Sequence, residues 1–197
     1  MWSWDITYLP TTVRGIWLYL YLVVDVCSLK VVAWDVAEVE SAKLVNRACL
    51  RKRISKGSQQ SLTLHADNTN AMEAATLESG LKELGVLRSF SQPRVSKDNH
   101  YSESFFGTVK YRHDYLLKPL ASKEQACQWV VAFVDCYNHR HRHSGVKFVK
   151  PVQRHSGQAI EICCQRAVVY ERARRCHPRR ESGTLCCWNQ PEVAWIN

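Results

Sequence analysis

"WSWDITYLPTTVRGIWLYLYLVVDVCSLKVVAWDV" (residues 2–36) contains three apolar runs separated by short polar turns. The runs are Trp2–Leu9, Ile16–Val24 and Val31–Val36, and each has the length and composition of a β-strand. Connections this short join strands that are antiparallel neighbours. The stretch therefore predicts an antiparallel meander of three strands.

Strict alternation marks the first of these runs. Trp2 and Trp4 alternate with Ser3 and Asp5. Because successive side chains of a strand point to opposite faces, Asp5 should lie on the face opposite the tryptophans, on a half-buried strand. A terminal strand frays unless it is well paired, so the neighbours of this strand decide how firmly Asp5 is held.

The remaining chain alternates predicted helices with two further strands. Five helices are predicted: one at about 39–53, one from Asn70 to a stop at Gly85, one that starts near Ser102, one that starts at Ser122 and has an apolar stripe ending at Tyr137, and one at about 158–175. The two further strands are Leu62–Ala66 and Val86–Phe90. A polar loop, residues 91–101, precedes the helix near Ser102. This order predicts an α/β domain with a mixed sheet.

Composition narrows the class of protein. The chain has 197 residues, 46% of them apolar, which suits a domain with a real core. Its longest apolar run, Ile16–Val24, is too short to cross a bilayer. The first residues lack a basic segment followed by an apolar one, so no signal peptide is predicted and a cytosolic location is expected.

Positive charge is concentrated near the C-terminus. The net charge is +9, and residues 139–180 hold 11 Lys and Arg against two acids, Glu161 and Glu171. The rest of the chain is balanced, with 16 of each sign. A basic segment of this kind suits a polyanion such as nucleic acid. It is equally compatible with a solvated helix that serves solubility.

Nine cysteines raise the question of metal or disulfides. The sequence has no C-x-x-C pair and an odd cysteine count, which argues against a disulfide framework. The neighbours Cys163 and Cys164, Cys176 and His177, and Cys186 and Cys187 fit no standard zinc spacing. Free thiols are the expected state.

Three carboxylates fall at positions where the binding and catalytic sites of α/β sheets are commonly found. Asp5 lies on the first strand, Asp67 follows the fourth, and Glu103 stands at the start of a later helix. The positive end of a helix favours an ionised carboxylate, which a metal ligand must be. Each residue taken singly has an ordinary explanation, as a solvent-facing strand residue, a loop residue or a first-turn acid.

Several motifs together closely resemble one family. They are "WSWDIT", "LYLVVDVCSLKVVAWDV", "LHADN", "SFSQPRVSKDNHYSESFFGTVKYR" and "FVDCYNHRHRHSGVKFVKP". They resemble transposases of bacterial insertion sequences, of the orfB type, which have a retroviral-integrase-like core. The resemblance implies a ribonuclease H-like mixed five-stranded sheet flanked by helices, with a catalytic core at 1–145 and a basic C-terminal extension at 146–197.

The same resemblance implies a chemistry. Asp5, Asp67 and Glu103 match the three carboxylates of the family's DDE site, which uses Mg²⁺ or Mn²⁺, with two ions expected. The family cleaves DNA with water and joins the resulting 3′-hydroxyl to another DNA phosphate. The resemblance also implies that the partners are element ends and target DNA, that the protein forms a homo-oligomer, and that it does not associate with a membrane. It further implies a bacterial cytoplasmic protein that joins the nucleoid when it binds DNA.

The match has departures. Ala66 and Thr69 stand where the family commonly has serine and glycine, His100 where proline is frequent, and Gly107 where many relatives carry a charge. None of these changes removes a carboxylate. The family's helix-turn-helix segment is expected upstream of the core, so the chain has the appearance of a shortened reading frame.

DNA contacts are expected from basic residues, because sequence-tolerant binding relies on Lys and Arg at phosphates. Candidates are Lys110, Arg140, Arg142, Arg172, Arg174 and Arg175. Three functions remain open: a transposase core, an inactive remnant that binds DNA or interferes with intact transposase, and a general nuclease of the same fold.

Overall fold

A computed structural model describes residues 1–39, 62–66, 81–83, 85–90, 105–107, 119–178 and 187–190 of the chain. The strands are β1 (Trp2–Pro10), β2 (Trp17–Asp25), β3 (Lys30–Ala37), β4 (Leu62–Ala66) and β5 (Val86–Phe90). The helices with described bounds are α1 (Lys123–His139), α2 (Pro151–His155) and α3 (Ala159–Cys176). Residues 81–83 and 105–107 are also helical.

The five strands form one mixed sheet in the order β3-β2-β1-β4-β5. The first three strands make the predicted antiparallel meander. β4 then pairs parallel to β1, and β5 parallel to β4. The predicted fold class, an α/β domain with a five-stranded mixed sheet, is confirmed, and each predicted strand agrees within about one residue at either end.

β1 is the centre of this sheet, with β2 on one side and β4 on the other. The prediction of a half-buried β1 is wrong, because both of its faces are covered. Ser3 and Thr7, on the polar face, are 1% and 4% exposed, while Trp4 on the other face is 1% exposed. A buried central strand with polar residues on one face shows the same apolar–polar alternation as a half-buried strand. Periodicity alone therefore could not distinguish a buried β1 from a half-buried one.

Two hydrophobic clusters occupy the two faces of the sheet. One contains Leu9 of β1, Leu20 and Leu22 of β2, and the buried stripe of α1. The other contains Trp2 and Trp4. The α1 stripe follows the predicted positions: its buried members are Ala126, Val130, Phe133, Val134 and Tyr137, with Trp129 packed beside them.

Local signals fix the ends of helices as the sequence predicts. The Ser122 hydroxyl accepts a hydrogen bond from the Gln125 N–H at 3.3 Å. The return bond differs from a standard capping box, since the Gln125 Oε1 accepts from the N–H of Ala121 at 2.7 Å. Gly85 has φ of +59° and its N–H bonds the Lys82 carbonyl at 2.9 Å, as expected for a helix stop.

The predicted helix at about 158–175 is confirmed as α3. The other helix and loop predictions lie outside the described residues. They are the helix at about 39–53, the start of the helix at Asn70, the loop at 91–101 and the start of the helix near Ser102. Gly107, where a charged residue is common among relatives, has helical backbone.

A buried polar cluster ties α2 to the end of β2. The Asp25 carboxylate accepts hydrogen bonds from the Ser28 hydroxyl and, at 3.1 Å, from the Ser28 N–H. Its Oδ2 lies 3.5 Å from the His155 Nδ1, on the last residue of α2. Burial alone raises the pKa of Asp25, but the hydrogen bonds from His155 and Ser28 outweigh it and hold that pKa below its ordinary value.

α1 is fastened to β3 by Asn138, which is 6% exposed. Its side chain accepts from the Val31 N–H and donates to the Val31 carbonyl, both at 3.0 Å. We expect Asn138→Ala to lower the free energy of unfolding by about 2 kcal/mol, because two buried backbone groups lose their partner. Urea unfolding followed by tryptophan fluorescence measures this loss. Gln128→Ala, on the exposed side of α1, is the control, and equal losses in both variants would contradict the prediction.

The Asp25 cluster predicts a dependence of stability on pH. A carboxylate whose pKa is lowered on folding stabilises the protein above its ordinary pKa of 3.8 and loses that contribution as pH falls through the folded pKa. The difference in unfolding free energy between wild type and Asp25→Asn should narrow as the pH falls below about 5. Urea titrations from neutral to acidic pH test this, and a difference that does not change with pH would be inconsistent with it.

Candidate active site

Asp5 lies near the middle of the central strand and is partly buried. Its Oδ1 accepts a hydrogen bond from the N–H of the next residue, Ile6, at 2.7 Å. Asp5 is paired with Leu22 of β2, and directly opposed residues of antiparallel strands share a face. Asp5 therefore lies on the face that carries Leu22 and α1, opposite the tryptophans, as predicted.

The parallel pairing of β1 with β4 sets which residues stand beside Asp5. Trp2, Ser3 and Trp4 pair with Leu64, His65 and Ala66. This pairing ends at Trp4 and Ala66, one residue before Asp5 on one strand and one residue before Asp67 on the other. Asp67 itself lies outside the described residues, as do Glu103 and Lys110.

A row of polar side chains crosses three strands on the Asp5 face. Ser3 of β1 pairs with His65 of β4, which pairs in turn with Ser89 of β5. His65 is 1% exposed, and its Nδ1 lies 3.1 Å from the Ser89 hydroxyl. A buried imidazole needs such hydrogen bonds, since an unsatisfied polar group costs free energy. The row holds β4 and β5 in register next to the position where β4 ends.

Phe105 marks where the chain near Glu103 meets the sheet. It is 2% exposed and packs edge to face on Tyr137 and Phe133 of α1, with ring centroids 4.7 Å and 5.7 Å apart. Phe105 belongs to the cluster that contains Leu9 and Leu22, on the Asp5 face. Burial also raises the pKa of the Tyr137 hydroxyl. Phe105 follows Glu103 by two residues in the sequence.

The structure separates the predicted DNA-contact residues into two groups. Arg140 caps the C-terminus of α1, and both it and Arg142 are exposed. Arg172, Arg174 and Arg175 lie exposed on the last turns of α3. The Arg175 Nε lies 3.2 Å from the Glu171 Oε1, so this arginine is paired on its own helix.

Metal-ligand clusters of three or more His, Cys, Asp or Glu are absent from the described residues. The described cysteines all have free thiols: Cys27, Cys127, Cys136, Cys163, Cys164, Cys176 and Cys187. Burial, the largest influence, raises the pKa of Cys127. In the portion that is described, no helix is both long and apolar enough to span a membrane.

This mixed five-stranded sheet with flanking helices has the ribonuclease H-like architecture of integrase catalytic cores. The structure is similar to the HTLV-2 integrase catalytic core domain in complex with magnesium, in its trimeric form. The TM-score is 0.58 at 18% sequence identity, and the match covers 78% of this chain and 94% of that one. At this identity the likeness establishes the fold.

Sequence comparison establishes the family. Two models of the integrase core domain match residues 1–96 and 84–151, and the chain belongs to that family. It is 30% identical over 152 residues to the transposase for insertion sequence element IS904 of Lactococcus lactis subsp. lactis (strain IL1403). It is 29% identical over 153 residues to the transposase InsF for insertion sequence IS3A of Escherichia coli (strain K12). Each match covers 77% of this chain, but only 59% and 52% of those transposases.

Sequence reasoning missed the residues whose roles depend on distant partners. His65 and Ser89 are 24 positions apart, and Ser28 and His155 are 127 apart. The Arg166 side chain bonds the carbonyls of Lys147 and Phe148. For the His65–Ser89 pair, the available signal was a histidine two residues before Asp67. The Ser28–His155 pair and the Arg166 contacts have no local signature in the sequence.

The polar row predicts a specific loss of stability. Ser89→Ala removes one hydrogen-bond partner of the buried His65, so the free energy of unfolding should fall by about 1 kcal/mol. Ser89→Thr keeps the hydroxyl and should retain most of the stability. Urea unfolding of the two variants makes the comparison, and a loss in Ser89→Thr as large as that in Ser89→Ala would show that the hydroxyl does not stabilise His65.

Proposed function

We propose that the chain is the catalytic core of a DNA transposase, which cleaves a DNA strand and transfers its 3′-hydroxyl end to another DNA with the help of divalent metal. The proposed site consists of Asp5, Asp67 and Glu103. Similarity to the IS904 and IS3 transposases supports this reaction class. Because the chain covers 59% or less of those proteins, the activity of the complete enzymes remains a proposal for this chain.

One observation carries the proposal: the parallel register of β1 and β4. Trp4 pairs with Ala66, so Asp5 and Asp67 each follow directly from a paired residue. Consecutive Cα atoms are about 3.8 Å apart, which limits how far Asp67 can lie from that pair. If the alternation of β4 continues by one residue, Asp67 shares the face of His65, and that is also the face of Asp5.

A separate observation supports Glu103 as the third member of the proposed site. Phe105 is buried against α1 on the Asp5 face. A residue two positions earlier lies within about 7 Å of the Phe105 Cα along an extended chain. This limit supports the inclusion of Glu103 in a site on the covered face of the sheet.

The chain's residues fit a divalent ion of the magnesium class. Mg²⁺ prefers oxygen ligands and is commonly held by one or two carboxylates together with substrate phosphates. Asp5 supplies a carboxylate whose Oδ1 is already oriented by the Ile6 N–H. When bound, such ions would lower the pKa of the attacking hydroxyl and stabilise the leaving oxygen of an in-line displacement.

In the proposed reaction, water first attacks a phosphodiester at the element end and releases a 3′-hydroxyl and a 5′-phosphate. That 3′-hydroxyl then attacks a phosphodiester of the target DNA, so one P–O bond forms while another breaks and a target 3′-hydroxyl leaves. The chain's contribution is to hold the Asp5 carboxylate on its central strand and to bind DNA with its basic segment.

The partners follow from the same proposal. Element ends and target DNA are the substrates, and exposed Arg140 and Arg142 offer phosphate contacts. A homo-oligomer is supported by the trimeric form of the HTLV-2 integrase core. The relatives are bacterial, which supports a place in the bacterial cytoplasm and on the nucleoid when DNA is bound.

A strand-transfer assay tests the proposal. The purified chain is incubated with Mg²⁺ or Mn²⁺, a pre-cut duplex bearing the terminal sequence of its own element, and target plasmid. We expect joined product from the wild type, and a loss of at least about 100-fold in Asp5→Asn and Glu103→Gln, because each removes a carboxylate ligand.

Asp35→Asn is the matched control. The Asp35 Oδ1 accepts from the next N–H, that of Val36, at 2.8 Å, just as Asp5 bonds Ile6. Asp35 pairs with Tyr21 on the opposite face of the sheet, so its change should leave joining intact. DNA binding without any product would favour the inactive remnant, and hydrolysis without joining would favour a general nuclease.

A further inference from the structure

The chain after α1 makes a turn with an unusual backbone. A short 3₁₀ segment, Ser144–Val146, is followed by Lys147 and Phe148, both with φ of +56°. Residues other than glycine rarely adopt this left-handed conformation, because the Cβ crowds the backbone. Two in succession need support from the surrounding structure, and such supported strain is concentrated at functional positions.

Side chains from the C-terminal part of the molecule supply that support. The Arg166 guanidinium of α3 donates to the Lys147 carbonyl at 2.7 Å and to the Phe148 carbonyl at 3.1 Å. The Gln190 amide donates to the Val146 carbonyl at 3.2 Å. Three successive carbonyls are therefore held from outside the turn. The Trp188 ring lies under the Arg166 guanidinium, with 5.5 Å from the Arg166 Cζ to the ring centroid.

The turn is also fixed from within. Val146 and Val149 are buried at 3% and 0% exposure. The His143 Nδ1 accepts a hydrogen bond from the Gly145 N–H at 3.0 Å. These contacts support the turn from within as well as from outside.

An exposed aromatic ring stands at that tip. Phe148 is 52% exposed, although the residues on either side are held by hydrogen bonds or buried. Lys147 and Lys150 flank it, and Arg140 and Arg142 lie just before the turn. The sequence has no acidic residue from 136 to 160. An exposed apolar ring in a segment with basic but no acidic residues matches a ligand that carries both phosphates and flat apolar surfaces.

We propose that this turn is a second DNA contact, in which Phe148 packs against bases or sugars of a duplex groove while Lys147 and Lys150 contact phosphates. Aromatic insertion beside phosphate contacts is a general mode of DNA binding. Arg166 is the positioning residue that keeps Phe148 in place. The inference rests on the proposed function, since it assumes that DNA is the substrate.

The location makes this contact separate from the carboxylates. A Cβ built on Gly145 would lie 3.8 Å from Leu29 Cδ1, so the turn abuts the β2–β3 connection. That connection follows Asp25, which pairs with Trp2, and Asp5 lies three residues further along β1, about 10 Å. The turn therefore lies by the β2–β3 connection, apart from Asp5.

Equilibrium DNA binding tests the inference. Fluorescence anisotropy with a labelled 30-base-pair duplex is measured in EDTA, so that metal and catalysis do not contribute. We expect Phe148→Ala to weaken binding by about tenfold without changing the slope of log affinity against log salt, because no charge is lost. Lys147→Gln should weaken binding and reduce the salt slope by about one.

Two further variants separate contact from positioning. Tyr8→Ala removes a ring that is 53% exposed on β1, outside the basic segment, and should bind like wild type. Arg166→Lys keeps the charge but cannot make the same two-pronged bond, so it should weaken binding toward the Phe148→Ala value with an unchanged salt slope. Circular dichroism melting verifies that each variant is folded.

The outcomes distinguish the two levels of the argument. A wild type that binds no duplex at any salt concentration would contradict DNA as the substrate and so the proposed function. If the wild type binds the duplex and Phe148→Ala binds it as tightly as Tyr8→Ala does, the second contact alone is overturned. Heparin, a polyanion without bases, should bind Phe148→Ala and wild type equally, and a tenfold loss there would overturn the contact with bases or sugars.

Discussion

The pairing of β1 on both sides is the constraint on which the rest of the molecule depends. Antiparallel pairing with β2 fixes which face each side chain occupies, and parallel pairing with β4 fixes which residues stand beside it. A shift of one residue in either register would move Asp5 to the opposite face or away from the end of β4. The nine-residue length of β1 and its nine pairs with β2 make such a shift costly.

The elements around the sheet preserve this arrangement. The face of Asp5 is covered by α1, whose aromatic residues receive Phe105, and α1 is fastened to β3 through Asn138. The Asp25 cluster then attaches α2 to the end of β2. Because every link is a buried contact or a satisfied polar group, the central strand is held from several directions.

Much of the architecture was predictable because it depends on local patterns. Alternation and short turns located the strands, and Ser122 and Gly85 located helix ends from their capping chemistry. The two-sided burial of β1 was not predictable, because buried Ser3 and Thr7 resemble exposed residues in sequence. The same applies to the site: Asp5 was identified through family resemblance, whereas the His65–Ser89 pair and the Arg166 contacts join segments that only folding brings together.

The central claim is that Asp5 and its partners hold a divalent ion, and diffraction from crystals grown with Mn²⁺ tests it most directly. The anomalous signal locates the metal without reference to activity. The account predicts a Mn²⁺ peak about 2 Å from an Asp5 carboxylate oxygen, with Asp67 as a second ligand. A peak bound elsewhere, or an Asp5 carboxylate directed away from Asp67 at saturating Mn²⁺, would contradict it.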